Sequence, residues 1–318
     1  MNWKRTLFFV AALSILSVFY YLKLYHQSTN DLIPAFSVEA APRYVLEFNQ
    51  DGLVKSISLS DQLKGTTLSF KRDARGNWQI VSPVFFPAEP LIIDGFVTLL
   101  KLTPRLRNLQ ANQLNPKDFG FDDPSLKICV EVSNHNLRCL LIGNKSVIGD
   151  GAYAKWDNEE SYFLVEQVFL KSFDKTLYSV RKKQIFSLLN DEIASIHFQS
   201  SKKEFHIIHE GKYWTLQKPI ESAIGEQAMN TLLTELNGLY VKEFLEGEET
   251  SKFKSKVKQA LRTVRVIFRN QTEQVLIQGQ EANGRDAYYA RLSEPETLFL
   301  VSKGKLNHLE EAFSKVAS

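Results

Sequence analysis

The residues whose chemistry could hold a metal or move a proton are few: His197, His206 and His209, Cys129 and Cys139, Asp94, and the aspartates Asp118, Asp122 and Asp123. On a strand, side chains of odd separation point to opposite faces, so His206 and His209 do not share a metal. Cys129 and Cys139 are the only thiols, and no histidine stands at a spacing that completes a zinc tetrad with them. The three aspartates lack the alternating oxygen ligands and terminal glutamate of a calcium loop, and their place in Asn115-Pro-Lys-Asp-Phe-Gly-Phe-Asp-Asp-Pro124 suits turn formation. Asp94 stands alone among apolar helical neighbours, without the partner that acid–base catalysis needs. Gly143, Gly149 and Gly151 lack the Gly-Lys-Ser/Thr that makes a phosphate loop, and read as hairpin turns. Gly-x-Ser-x-Gly does not occur. The expectation is a non-enzymatic chain with no catalytic residues, no cofactor and no metal.

The elements that would position any such residue are duplicated. Gly76-Asn-Trp-Gln-Ile-Val-Ser-Pro83 returns as Lys212-Tyr-Trp-Thr-Leu-Gln-Lys-Pro219, which places Trp78 and Trp214 136 positions apart. The same offset relates Ile142-Gly143 to Gln278-Gly279, Tyr153-Ala154-Lys155 to Tyr289-Ala290-Arg291, and Phe163-Leu164-Val165 to Phe299-Leu300-Val301. Matches in one register over so long a span mean an internal repeat. Its units run from 43 to 186 and from 187 to 318.

Each unit alternates short apolar–polar runs with turns, the pattern of an antiparallel meander. In the first unit these are Tyr44–Phe48, Val54–Leu59, Thr67–Lys71 and Trp78–Val81, with Trp78 facing the core. A helix opening at Pro90 carries Ile92, Phe96, Leu99 and Leu100. Arg105–Gln110 is strand-like, Pro116 starts a helical turn and Gly120 ends it in the left-handed region. A hairpin centred on Asn134 sets Cys129 opposite Cys139, which leaves either a disulfide or two small buried side chains. Tyr153–Trp156, Tyr162–Val165 and a helix over Glu166–Phe173 close the unit. The second repeats this order, with a helix carrying Ile224, Ala228, Leu232, Leu236 and Leu239, and Arg265 and Val275 where the first has its cysteines. The fold class is therefore α+β, an N-terminal transmembrane helix followed by two units of antiparallel sheet packed with helices.

Charge argues against nucleic acid. The chain carries a formal net charge of +3, and its one basic concentration, Lys252, Lys254, Lys256, Lys258, Arg262 and Arg265, spreads around a helix whose other side holds Phe253, Val257, Leu261 and Val264. The membrane signal is clearer. Thr6–Leu22 is an uncharged apolar run reaching about 26 Å as a helix, preceded by Lys4 and Arg5. Residues 1–25 read as a signal anchor with a cytoplasmic N-terminus, and residues 26–42, with Pro34 and Pro42, as a tether. A cleaved signal peptide is the competing reading, but no small-x-small site follows closely, Val38-Glu39-Ala40 coming too late. The bulk of the chain is then periplasmic or extracellular, held at the cell inner membrane.

A signal anchor, Asn77-Trp-Gln-Ile-Val-Ser-Pro83, Phe119-Gly-Phe-Asp-Asp-Pro124, Leu141-Ile-Gly143, Gly151-Ala-Tyr-Ala154 and a second Trp-to-Pro copy together resemble the bacterial family catalogued as domain of unknown function 4340. The second copy departs from it, with Ala260 in the place of Pro124. The resemblance supplies no activity or catalytic residues. It implies a membrane-anchored envelope protein, associated with ABC-type export or gliding-like machinery. The sequence thus leads to an accessory subunit with an envelope protein partner. The alternative is an envelope glycan- or lipid-binding module built on Tyr153, Trp156 and Tyr162.

Overall fold

A computed structural model describes residues 43–47, 53–109, 115–133, 137–147, 151–247 and 249–317. Alternation of buried and exposed side chains builds two sheets of nine strands each. The first contains β1 (Val54–Asp61), β2 (Thr66–Arg72), β3 (Trp78–Ser82), β4 (Phe86–Pro87), β5 (Asn108–Leu109), β6 (Leu126–Val132), β7 (Arg138–Lys145), β8 (Gly151–Trp156) and β9 (Tyr162–Glu166). Its spatial order is β4-β3-β2-β1-β6-β7-β8-β9-β5. The second contains β10 (Ile193–Ser200), β11 (Glu204–Glu210), β12 (Tyr213–Lys218), β13 (Ser222–Ile224), β14 (Val241–Phe244), β15 (Arg262–Phe268), β16 (Glu273–Ala282), β17 (Ala287–Leu292) and β18 (Thr297–Ser302). Its order, β13-β12-β11-β10-β15-β16-β17-β18-β14, is that of the first strand for strand. Every pairing is antiparallel.

The duplication extends to irregularities. The register of β1 on β6 shifts between Val54 and Ser56, and that of β10 on β15 between Ile193 and Ser195. One extra residue restores the inward face, so Val54 and Ile57 are buried together, as are Ile193 and Ile196. Gly143 and Gly279 lie inside β7 and β16 at matching register shifts. A Cβ on Gly143 would stand 1.9 Å from the Phe119 carbonyl oxygen, and one on Gly279 2.1 Å from that of Lys256. The preceding short helix crosses the strand too closely for any side chain. Gly143 is therefore not a turn residue; it admits a backbone crossing.

The helices cover the sheets. α1 (Pro90–Leu102), α2 (Gln167–Phe173) and the single turn α3 (Leu177–Val180) belong to the first unit. α4 (Glu226–Asn237), α5 (Glu249–Val257) and α6 (Lys303–Lys315) belong to the second. α1 buries Ile93, Phe96 and Leu100, a stripe turned by one residue from the one read at Ile92 and Leu99. Phe96 stacks on Phe173 with centroids 5.0 Å apart. In the second unit Met229, Leu232, Leu233 and Leu236 face inward from α4, while Ile224 sits in β13 and Leu239 beyond the helix. α5 ends at Val257; Leu261 is exposed and Val264 belongs to β15, so the basic stretch is a helix followed by a strand. Pro116–Phe119 forms one 3-10 turn, ended by Gly120 at φ 76°. One core closes with Val180 and the other opens with Ile185 and Phe186.

Tyr44–Glu47 is not the first strand of the meander. Tyr44 makes an isolated bridge to Pro104, and Val45 N–H donates to the Thr103 carbonyl at 2.8 Å. Phe48 lies outside the described residues, and Arg105–Gln110 shortens to the two residues of β5. The anchor over Thr6–Leu22 and the tether over 26–42 also lie outside the described residues. Among those described, no helix is long and apolar enough to cross a membrane.

Candidate functional site

Several residues with chemical potential serve the fold instead. Trp78 is buried, and its indole N–H donates to Asp94 Oδ1 at 2.8 Å. The Arg72 guanidinium lies over that ring at 4.2 Å and pairs with the same carboxylate. Asp94 therefore orients a tryptophan. The repeat keeps the ring and changes its partners: Trp214 stacks on His209 at 4.0 Å and donates to Asn190 Oδ1. His209 Nδ1 is 3.1 Å from the Ile193 carbonyl and 3.1 Å from an Arg269 nitrogen. It donates to the first when it carries the proton and accepts from the second when it does not.

His197 and His206 pair across β10 and β11, with rings 5.6 Å apart, on the face opposite His209. Burial, then the charges of His197 and Lys218, lower the pKa of His206 below the usual histidine value. No group of three metal-ligating side chains occurs among the described residues. Cys129 and Cys139 stand opposite in β6 and β7 and are joined as a disulfide. Of the aromatic residues that suggested a glycan platform, Tyr153 is half-buried with its ring against Phe119, and the other two are in the interior. Trp156 is fully buried, with its N–H on the Val45 carbonyl at 2.7 Å, and Tyr162 is buried against Phe119 and Phe121.

A second ionic node holds the incoming chain. Arg105, almost fully buried, donates to the Tyr44 and Val45 carbonyls and pairs with Glu159 at 2.8 Å. Arg138 pairs with the same carboxylate at 2.8 Å and lies over Trp156. Burial alone would raise the pKa of Glu159, but Arg105 and Arg138 together outweigh it and hold the carboxyl below its ordinary range.

A concave surface lies at the seam of the two units. It is a groove of about 590 Å³ walled by Pro83–Phe86, Leu177 and Arg181 on one side and by Phe244–Gly247, Thr250, Lys254 and Pro295–Leu298 on the other. Arg181 organises it. Its backbone bridges Ala88, and Lys182 N–H donates to the Pro87 carbonyl, which fixes it to the first unit. Its guanidinium lies over Phe86 at 5.2 Å and over Phe244 at 4.6 Å, and pairs with Glu246. Phe86 and Phe244 themselves meet edge to face at 5.4 Å. One cation thus joins β4 of the first sheet to β14 of the second, both edge strands. Beside it Phe85 is 73% exposed. Sequence reading passed over Arg181 and Phe85, because the seam joins residues about sixty and a hundred positions apart with no periodic signal.

These features define a class: two copies of one α+β unit, joined by a charged aromatic seam with an open groove. The family model described as Domain of unknown function (DUF4340) matches residues 78–259. This chain belongs to that family. The matched span runs from β3 of the first unit into the residues after α5 of the second, and so takes in Phe86, Arg181, Phe244 and Glu246 but not the Pro295–Leu298 wall of the groove. No curated protein and no solved structure matches the chain.

Proposed function

We propose that this chain is a single-pass, membrane-anchored accessory subunit that presents the seam groove to another envelope protein outside the cytoplasm. The observation that carries the reading is the groove itself. It has an aromatic floor at Phe86 and Phe244, a polar rim at Glu246, Thr250 and Glu296, and an exposed anchor residue, Phe85. A buried aromatic centre ringed by polar groups is the usual anatomy of a protein docking surface. The anchor rests on Thr6–Leu22 with Lys4 and Arg5 before it. A component of ABC-type export or gliding-like machinery is the partner class that the family resemblance favours.

The test is made in the protein's own membrane. The chain should resist alkaline extraction from the membrane fraction, be digested by protease added from outside the cytoplasm, and recover one recurrent membrane protein after mild crosslinking. Release by alkali, protection from the protease, or recovery of the chain alone would each count against the proposal.

A further inference from the structure

The basic stretch that closes α5 meets a cation from another element. Lys254 of α5, Lys258 just beyond its end and Arg291 of β17 line one pocket of about 380 Å³, with Val257 and Leu298 as apolar walls and Glu296 as its one carboxylate. Two exposed lysines near the C-terminal end of a helix would by themselves be an ordinary solvated pair. Arg291 is different. Its side chain is 40% exposed, yet its Nε is buried with no hydrogen-bond partner. Its one ionic neighbour, Glu296 at 3.8 Å, is too distant for a hydrogen bond and is itself 59% exposed. Among the described residues the guanidinium fork makes no hydrogen bond, and neither lysine side chain makes a hydrogen bond or an ion pair. A buried N–H without an acceptor in its own chain is uncommon and asks for one from outside it.

The first unit treats the same place in another way. Leu141 pairs with Lys155 across β7 and β8 as Ile277 pairs with Arg291 across β16 and β17, so Lys155 is the counterpart of Arg291 in the 136-residue register. Leu298, which pairs with Arg291, stands in the same register at the position of Tyr162. In the first unit Lys155 Nζ lies over the Tyr162 ring at 5.3 Å, and that ring packs against Phe119 and Phe121 from the segment crossing Gly143. In the second unit Leu298 replaces the ring, so the cation has no π face at that position. The segment crossing Gly279 is α5, and it gives the pocket lysines in place of aromatic rings. Divergence between the copies has turned a packed aromatic site into an open cationic one.

We propose that this pocket binds a phosphomonoester, with the Arg291 fork and the two ammonium groups sharing its oxygens. A near-dianionic group with three terminal oxygens suits one bidentate guanidinium and two point charges. A carboxylate, with a single charge, would leave cations unanswered. The pocket is of the size that holds a small organic ligand, so it has room for the body that carries the phosphate, and Val257 and Leu298 offer carbon atoms an apolar wall. A soluble phosphorylated molecule and a lipid whose headgroup ends in a phosphate share this chemistry. Lys254, Glu296 and Leu298 also border the seam groove, but Lys258 and Arg291 do not, so the site can be altered without touching the partner surface.

The test is titration calorimetry on the full chain in neutral detergent. Glycerol 3-phosphate is the soluble probe, mixed micelles containing short-chain phosphatidic acid are the lipid probe, and glycerol and phosphatidylcholine micelles are the blanks. Saturable binding of a phosphate probe is expected, weakened about tenfold by Lys258→Gln and by Arg291→Gln, and also by Arg291→Lys, which keeps the charge and loses the fork. Lys252→Gln and Lys256→Gln remove the same charge from the same helix outside the pocket and should change the affinity by less than about twofold. Lys258 is exposed, so its variant remains informative even where Arg291→Gln fails to fold. Phosphatidic acid bound about tenfold tighter than glycerol 3-phosphate, with the two competing, assigns the site to a lipid headgroup; equal or weaker binding assigns it to a soluble ester. Saturable binding of neither probe at about 10 mM, equal binding of the blanks, or a loss with Lys258→Gln no greater than with Lys252→Gln would overturn the proposal.

Discussion

Replacing Arg181 by alanine tests whether the two units are coupled at the seam. The side chain is 5% exposed, whereas its partner Glu246 is 47% exposed. The orphaned carboxylate would therefore regain water, and the loss should stay below the ~3–5 kcal/mol typical of breaking a fully buried pair. Each ring contact contributes about 0.5–1 kcal/mol when exposed and about 2 when desolvated. A half-exposed ion pair adds up to about 1. The expected loss is about 2–4 kcal/mol, located at the seam and not in either core. Trp78 and Trp156 report on the first unit and Trp214 on the second, so fluorine-labelled tryptophan resonances follow both through urea unfolding. The wild-type chain should unfold with coincident midpoints. Arg181→Ala should lower them and pull them apart, and Arg181→Lys should fall between, because an ammonium loses the flat stacking of the guanidinium. A change under about 0.5 kcal/mol, with midpoints still coincident, would refute the coupling.

Other perturbations follow from equally local geometry. Gly143→Ala and Gly279→Ala should each destabilise their unit by more than about 2 kcal/mol, since the new Cβ collides with backbone oxygen. Gly95→Ala, inside α1 with nothing within 4 Å, should stabilise by about 0.5–1 kcal/mol in the same urea melts. Reducing Cys129–Cys139 opens a loop of sequence separation 10 and should cost the first unit up to about 3 kcal/mol on a chain-entropy estimate without abolishing its fold. The second unit already builds that pairing with Arg265 and Val275. The lowered pKa of Glu159 stabilises the fold fully above the ordinary glutamate range, and this contribution is lost as pH falls through the folded-state value. Glu159→Gln should flatten the acid limb of a stability–pH curve. His206 acts in the same direction at higher pH. Its folded pKa lies below the unfolded one, so stability declines as pH drops from the usual histidine value towards it, and His206→Gln should remove that decline.

What was legible in the sequence was whatever has a period or a named turn. Alternation located β1, β2 and β3, and the 136-residue offset located the repeat. The hairpin centred on Asn134 set Cys129 against Cys139, and Gly120 marked a left-handed helix end. Edge strands such as β4 and β5 are two residues long and carry no alternation, so Arg105–Gln110 was read too long and Phe86 was not read as strand. The α5 boundary was missed because Val257, Leu261 and Val264 happen to continue a helical spacing across a turn into β15. Trp156 and Tyr162 looked available to a ligand because composition cannot distinguish a buried indole, satisfied by a backbone carbonyl, from one at a surface. The seam was hidden for another reason. Phe86, Arg181 and Phe244 meet only after both sheets have formed, and their pairing is a fact of tertiary structure alone.

The claim at the centre of this account is that the seam groove docks a partner through Phe85. Its most direct test is the amount of co-purifying membrane protein per chain, compared between wild type, Phe85→Ser and a remote control, Leu63→Ser. Burying a phenylalanine contributes about 1.5–3 kcal/mol, so Phe85→Ser should reduce recovery of the partner about tenfold to a hundredfold at limiting concentration. Leu63→Ser should leave it unchanged. Equal recovery with Phe85→Ser and wild type, from chains of equal stability, would contradict the claim.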